Sequence, residues 1–179
     1  MKVNQETTLH SERIFKGRLV SLRIDMVQMS SGRQVKREIV EHGASTAIVA
    51  IDSEDNVLFV RQYRKAIEKM MLEIPAGGIE VGEDPLACAR RELEEETGFS
   101  AGQWERLAVF YSSPGFCTEQ MHVYMGTDLQ PSRRTSEIDE DIELIRVPLI
   151  EVAGLIASGE VCDAKSIAGL LLMLCKVGK

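Results

Sequence analysis

Apolar and polar residues alternate in short runs from Ser11 to Val40, with Leu22, Ile24 and Met26 facing one way and Arg23, Asp25 and Gln28 largely the other. That period of two predicts two or three antiparallel strands, with Ser31-Gly32 as a hairpin turn between them. Residues 1 to about 10 are polar and predict a frayed end. A sheet this small is marginal by itself and needs another surface to cover it. Denser apolar runs follow at Ser45–Asp52 and Val57–Tyr63, separated by the turn residues Ser53-Glu54-Asp55-Asn56. Further strands are predicted at Met71–Ile74 (stopped by Pro75), Leu107–Ser112, Met121–Gly126 and Ile142–Val147. Between the last two lies a polar, acidic stretch from Pro131 to Asp141. Helices are predicted near Ile150–Ala157 and at Ala164–Lys176, and one more follows a glycine turn at Gly77. For that one, Asp84 suits the N-cap, Pro85 the first helical position and Gly98 a left-handed stop. Mixed strands with few helices predict an α+β layered domain.

Composition narrows the options. A chain of 179 residues with 44% hydrophobic content supports one packed domain with room for a small extra element. A net charge of −7 argues against non-specific nucleic-acid binding, which needs clustered Lys and Arg to neutralise phosphates. The most apolar stretch, Ile167 to Cys175, is too short to span a bilayer, so no membrane partner is expected. The N-terminal MKVNQETTLHSERIF holds no apolar run of the signal-peptide kind, and a cytoplasmic setting is expected. Cys88, Cys117, Cys162 and Cys175 are scattered and read as small core residues in a reducing compartment. His10, His42 and His122 have no partner ligands at metal spacing.

The chemistry concentrates between Gly77 and Phe99. Glu92, Glu95 and Glu96 fall at i, i+3 and i+4, so three like charges share one helix face at a cost of a few tenths of a kcal/mol per pair. A divalent cation is the natural compensation, because carboxylate oxygens suit hard ions such as Mg²⁺ or Mn²⁺. The run RRELEEE by itself also fits an ordinary solvated helix face. The wider spacing decides between the two. Gly77, five residues, Glu83, seven residues, Arg91-Glu92-Leu93, one residue, Glu95-Glu96, one residue and Gly98-Phe99 make a pattern expected by chance about once in 10⁸ start positions. It resembles the box of the Nudix hydrolases.

That resemblance implies an α/β/α sandwich with a mixed sheet over residues 42–179, and a small N-terminal antiparallel sheet over 1–41. It implies a cation held against a substrate pyrophosphate by Glu92 and Glu96, by Glu95 as ligand or supporting group, and by the backbone carbonyl of Ala76. Arg91 is expected to hold the glutamates in place, and Glu83 to anchor the loop or join a second metal site. The reaction class is hydrolysis of a diphosphate linkage into two monophosphates.

Outside the box, Ser112-Ser113-Pro114-Gly115-Phe116-Cys117-Thr118-Glu119 is similar to the SPG…E element of the ADP-ribose pyrophosphatase branch, and so are Arg61-Gln62-Tyr63-Arg64 and Leu72-Glu73-Ile74-Pro75-Ala76-Gly77-Gly78. A Pro-Gly turn between strands is the plainer reading of the first. The branch implies phosphate contact by Arg64, with Arg37 a weaker candidate and Pro114 and Glu119 as further substrate-side residues. An ion pair of Arg64 with Glu68 or Glu73 is the structural alternative. The branch also implies a homodimer through the N-terminal sheet and a catalytic carboxylate on the acidic loop, where Glu140 is the first choice and Asp139 or Glu137 the alternatives. Candidates for a nucleobase clamp are Phe15, Tyr63, Tyr111 and Phe116. The expected reaction converts ADP-ribose, or a related nucleoside diphosphate sugar, to AMP and ribose 5-phosphate. The alternatives are another Nudix substrate (GDP-mannose, a dinucleoside polyphosphate, a coenzyme) or a non-catalytic nucleotide-sugar sensor.

Overall fold

The computed structural model describes residues 5–132 and 142–178. Its contacts divide it into two units: residues up to Ala44 together with Tyr111–Gln120, and Ser45–Phe110 together with Met121 onward.

The first unit is a three-stranded antiparallel sheet of β1 (Thr7–Lys16), β2 (Val20–Gln28) and β3 (Gln34–His42). Gly32, at φ +85°, takes the left-handed turn between β2 and β3 that a side chain disfavours. The expected frayed end is shorter than the polarity of the segment suggested. Thr7 already pairs with Gln28, because strand pairing with β2 orders a polar stretch that has no core of its own. All ten residues of β1 are exposed, including Leu9, Ile14 and Phe15. The 112–119 loop joins this sheet through hydrogen bonds from the Val40 amide to the Phe116 carbonyl and from the Thr118 amide to the Val40 carbonyl, 2.8 and 3.0 Å.

The second unit is a mixed sheet in the order β10 (Glu143–Pro148), β5 (Asn56–Arg64), β4 (Ser45–Ile51), β9 (Gln120–Pro131), β8 (Phe99–Tyr111). β6 (Lys69–Glu73) adds to β5, and the three-residue β7 (Ala76–Gly78) adds to β4. β4 runs parallel to β9 and is buried throughout, and its alternation sorts the core into two layers. Ala47, Val49 and Ile51 join Val57, Phe59 and Val123 beneath α2 (Val152–Ser158) and α3 (Ala164–Val177). Ile48 and Ala50 join Leu58 and Tyr124 beneath α1 (Pro85–Thr97), through Ala89 and Leu93. α3 lies so close to the sheet at Gly169 that a Cβ there would meet Ile74, Val123 and Val49 at 3.1–3.2 Å. These are the layers of an α/β/α sandwich.

Three sequence expectations change. β8 begins at Phe99 and not Leu107, since pairing with β9 carries the strand through the polar SAGQWER segment. β7 has no strand propensity and exists through its register with Ser45, Thr46 and Ala47. Of the cysteines expected in the core, only Cys88 is buried; Cys117 is half-buried and Cys162 and Cys175 are exposed, because they fall on the solvent side of a loop and a helix. Among the described residues no helix is long and apolar enough to cross a membrane.

Candidate active site

α1 is set by its ends. Asp84 accepts hydrogen bonds from the Leu86 and Ala87 amides at 3.0 and 3.1 Å, and Gly98 closes the helix at φ +73° with its amide on the Glu94 carbonyl. With Cys88, Ala89 and Leu93 turned into the core, the phase of the helix puts Glu92, Glu95 and Glu96 on the side facing β7 and its flanks.

Arg91 organises that face. Its Nε and Nη2 grip the two oxygens of Glu83 at 3.0 and 3.2 Å, and Nη1 lies between Glu92 at 2.7 Å and Glu95 at 3.0 Å. Nη2 also reaches the Gly78 carbonyl at 3.2 Å. One guanidinium thus offsets part of the repulsion among three carboxylates. Its hydrogen bonds hold Glu83 at about 2, and the Glu83 carboxylate accepts from the Glu80 amide, which closes the box loop. Beneath it, burial pushes the Cys88 thiol up to about 12, so it stays protonated and donates to the same Gly78 carbonyl at 3.3 Å.

Glu96 bonds to the strand instead of to Arg91, accepting the Ala76 amide at 2.9 Å. Glu92 presses on backbone: a Cβ built at Gly77 would lie 2.0 Å from its carboxyl carbon, so no residue with a side chain fits there as the site stands. Among the described residues no three His, Cys, Asp or Glu side chains converge as a ready ligand set, with Arg91 drawing Glu92 and Glu95 to itself. The donors assembled here are all oxygen, from Glu92, Glu95, Glu96 and the Ala76 backbone, and that set fits a hard divalent cation.

A second cluster adjoins the first along the chain. Glu73, 2% exposed, receives both Nε and Nη2 of Arg64 at 2.9 and 2.7 Å, and also Lys165 of α3. Burial raises its pKa, but the hydrogen bond from Arg64 and the charge and hydrogen bond of Lys165 overcome this and hold Glu73 at about 2. The Arg64 guanidinium is raised by its bond to Glu73, against its own burial, and the charges of Glu73, Glu96 and Asp163 add to the rise. The ion pair foreseen as the structural alternative for Arg64 is therefore present, to a buried partner.

Of the remaining expected residues, Arg37, Pro114 and Glu119 fall in the first unit. Arg37 pairs with Glu6 through Nε at 3.1 Å and Nη2 at 2.5 Å, and lines a cleft of about 320 Å³ together with Arg23, Pro114 and Phe116. Glu119 lies 3.6 Å from the His42 ring. Glu137, Asp139 and Glu140 lie outside the described residues. Of the aromatic candidates, Phe15, Tyr63, Tyr111 and Phe116 are all more than half exposed, and Phe116 alone of them lines this cleft. Sequence reasoning placed Cys88 in the core, where it is, and missed Lys165. Lys165 meets Glu73 across 92 positions, with no local pattern to announce it.

Comparison with known proteins follows the same lines. The NUDIX domain model matches residues 41–169. Over 168 residues the chain is 42% identical to a methanol dehydrogenase activator of Bacillus methanolicus and 40% identical to an ADP-ribose pyrophosphatase of Bacillus subtilis. Each alignment covers 93% of this chain and 91% of the relative. A crystal structure of an ADP compounds hydrolase superposes with a TM-score of 0.89 at 25% identity, covering 99% of both chains.

Proposed function

The chain belongs to the NUDIX domain family, and from that premise we propose that it hydrolyses the diphosphate of ADP-ribose, or of a closely related nucleoside diphosphate sugar, to AMP and ribose 5-phosphate. The observation that carries the reading is the α1 face, where Glu92 and Glu96 meet the Ala76–Gly77 backbone, Glu95 is held by Arg91, and Glu96 lies within electrostatic range of Arg64. The 40% identity to an ADP-ribose pyrophosphatase supports the choice of nucleotide.

In this reading Glu92, Glu96, the Ala76 carbonyl and Glu95 hold Mg²⁺ or Mn²⁺, which when bound polarises phosphoryl oxygens and eases ionisation of water. Arg64 binds a diphosphate oxygen, and Arg37, Pro114 and Glu119 are separate substrate-binding candidates on the first unit. Water adds to one phosphorus, the bridging oxygen leaves with the other, and the proton of the water passes to a carboxylate separate from the ligand set. We assign that role to Glu140, with Asp139 and Glu137 as the alternatives. The exposed β1 strand, with Leu9, Ile14 and Phe15 on its surface, supports a homodimer formed through the small sheet.

A second reading comes from the 42% relative, that the chain acts on a dehydrogenase partner as well as on a free nucleotide. The experiment is a panel of ADP-ribose, GDP-mannose, a dinucleoside polyphosphate and a coenzyme with Mg²⁺ or Mn²⁺, reading phosphate after phosphatase coupling, on protein whose mass is fixed by light scattering. ADP-ribose should be preferred. Glu140→Gln should lower kcat by about 10²–10⁴ with little change in KM, tested beside Asp139→Asn and Glu137→Gln. A flat panel overturns the reading, and full kcat in all three variants moves the base elsewhere.

A further inference from the structure

β6 and β7 lie on one short stretch of chain that changes neighbours on the way. Up to Glu73 it pairs with β5, in register with Val60, and from Ala76 it pairs with β4, in register with Ala47. The change of partner falls on Ile74 and Pro75. Pro75 has no amide to satisfy, and its carbonyl accepts the Ile48 amide at 2.8 Å. Ile74 is fully buried and lies past the last β5 pair, so its amide needs an acceptor from elsewhere.

That acceptor is the Ser166 hydroxyl of α3, 2.9 Å away and itself fully buried. Ser166 stands in the first turn of the helix, where its own amide donates to the capping Asp163 carboxylate at 3.1 Å. One turn on, Gly169 brings the helix backbone so near that a Cβ there would meet the Ile74 side chain at 3.1 Å. α3 therefore holds Ile74 both by its amide and by its side chain. Two residues further along is Ala76, whose carbonyl belongs to the proposed ligand set and whose amide donates to Glu96. β7 spans three residues without strand propensity, so its placement depends on what anchors the chain at its start. Of the side chains bonded to the Ile74 and Ala76 amides, Glu96 is itself assigned to the cation and Ser166 is not.

We propose that Ser166 is a positioning residue for the cation site: it fixes the chain at Ile74 and so sets where the Ala76 carbonyl stands beside Glu92 and Glu96. The inference rests on the ligand set proposed above. Ser166 touches neither cation nor substrate and acts through the backbone from Ile74 to Ala76. Alanine at 166 would leave the Ile74 amide buried without an acceptor, and the chain would have to shift to find one. Hard cations, Mg²⁺ above all, tolerate little displacement of an oxygen ligand, so the shift is felt as lost affinity.

The test measures Mn²⁺ binding, without substrate, from the electron paramagnetic resonance signal of the free ion in wild type, Ser166→Ala and Leu170→Ala. Leu170 is fully buried one turn further along α3 and carries no hydrogen-bonding group, so its variant reports general loosening of the helix. Ser166→Ala should raise the Mn²⁺ Kd roughly tenfold, the low end of what losing a supporting hydrogen bond at a metal site costs. Leu170→Ala should lose at least as much melting temperature and keep Kd within about twofold. In ADP-ribose hydrolysis, Ser166→Ala should need more cation for half-maximal rate and return to within about threefold of wild-type kcat when cation saturates. Should Ser166→Ala not fold, Ser166→Cys keeps the shape with a weaker acceptor and should raise Kd by about threefold. A Kd within about twofold of wild type in the folded Ser166 variant makes the residue merely structural and overturns the proposal. An equal rise in Leu170→Ala overturns it too, as does a wild type that binds no Mn²⁺ or the failure of both Ser166 variants to fold. ADP-ribose left intact by wild type refutes the substrate reading, and the Mn²⁺ arm then decides on Ser166 alone.

Discussion

Two clusters of charge in the same unit are built on different balances. On α1 and the segment just before it, Glu83, Glu92 and Glu95 share the cation Arg91, and Glu96 stands on the same helix face. At the β6–α3 contact, two carboxylates, Glu73 and Asp163, are matched by two cations, Arg64 and Lys165. The α1 side chains are partly open to solvent, 13% for Glu92 and 29% for Glu95, whereas that of Glu73 is 3% accessible. A solvated excess of carboxylates is a receiver for a cation, whereas a buried and balanced set of ion pairs holds elements together. The Ala76 amide on Glu96, three residues after Glu73, joins the two.

The sharpest way to break this contrast is to remove charge from the α1 cluster. Glu96→Gln keeps the shape and an acceptor for the Ala76 amide but withdraws one ligand charge, and should lower kcat by roughly 10³ or more with the fold intact, at about 1.4 kcal/mol per decade. Near-full turnover at saturating cation would remove Glu96 from the ligand set. A steric change is expected to cost less. Gly77→Ala sets a methyl where the Glu92 carboxylate now lies, and a displacement of about 1 Å at a reacting centre costs on the order of 10²-fold in kcat. Unchanged kcat would mean that Glu92 has room to give way.

How far these features could be read in advance depended on their range along the chain. α1 was legible to its ends because Asp84, Pro85 and Gly98 act on their immediate neighbours. The carboxylate face followed from helical spacing. β7 was not legible: Ala76-Gly77-Gly78 has no strand character, and only β4, some thirty residues earlier, makes it one. The same holds for the start of β8, where Gly102 lies so close to Asp128 of β9 that a Cβ would come within 2.2 Å of its carboxylate oxygen. Arg64 was singled out by resemblance, and its buried partner was named only as one of two options. Lys165 had no signal, because its meaning lies in a residue on another element.

The smallest expected effect separates the clusters by pH. Glu73 and Glu83 both sit at about 2 in the folded protein, below the ordinary 4.5, so each adds stability that is complete above about pH 4.5 and fades as pH falls toward about 2. The buried Glu73 should carry more of this than Glu83, whose side chain is 17% accessible and better screened. Melting temperatures between pH 5 and 2.5 should lose about 3–6 °C less in Glu73→Gln than in wild type, with Glu83→Gln in between. Equal slopes for all three proteins would erase the distinction.

The strap from Glu73 to Gly77 also carries two built-in reporters. The Ile74 and Ala76 amides end on side-chain oxygens, those of Ser166 and Glu96. Their deuterium uptake therefore registers what those side chains are doing. Ile74, sealed beneath α3, is a clock for loosening of that helix. Ala76 is a clock for Glu96: each time the carboxylate turns away toward a cation, the amide loses its acceptor. Two neighbouring NMR peaks can thus time the scaffold and the chemistry separately, without a label on either.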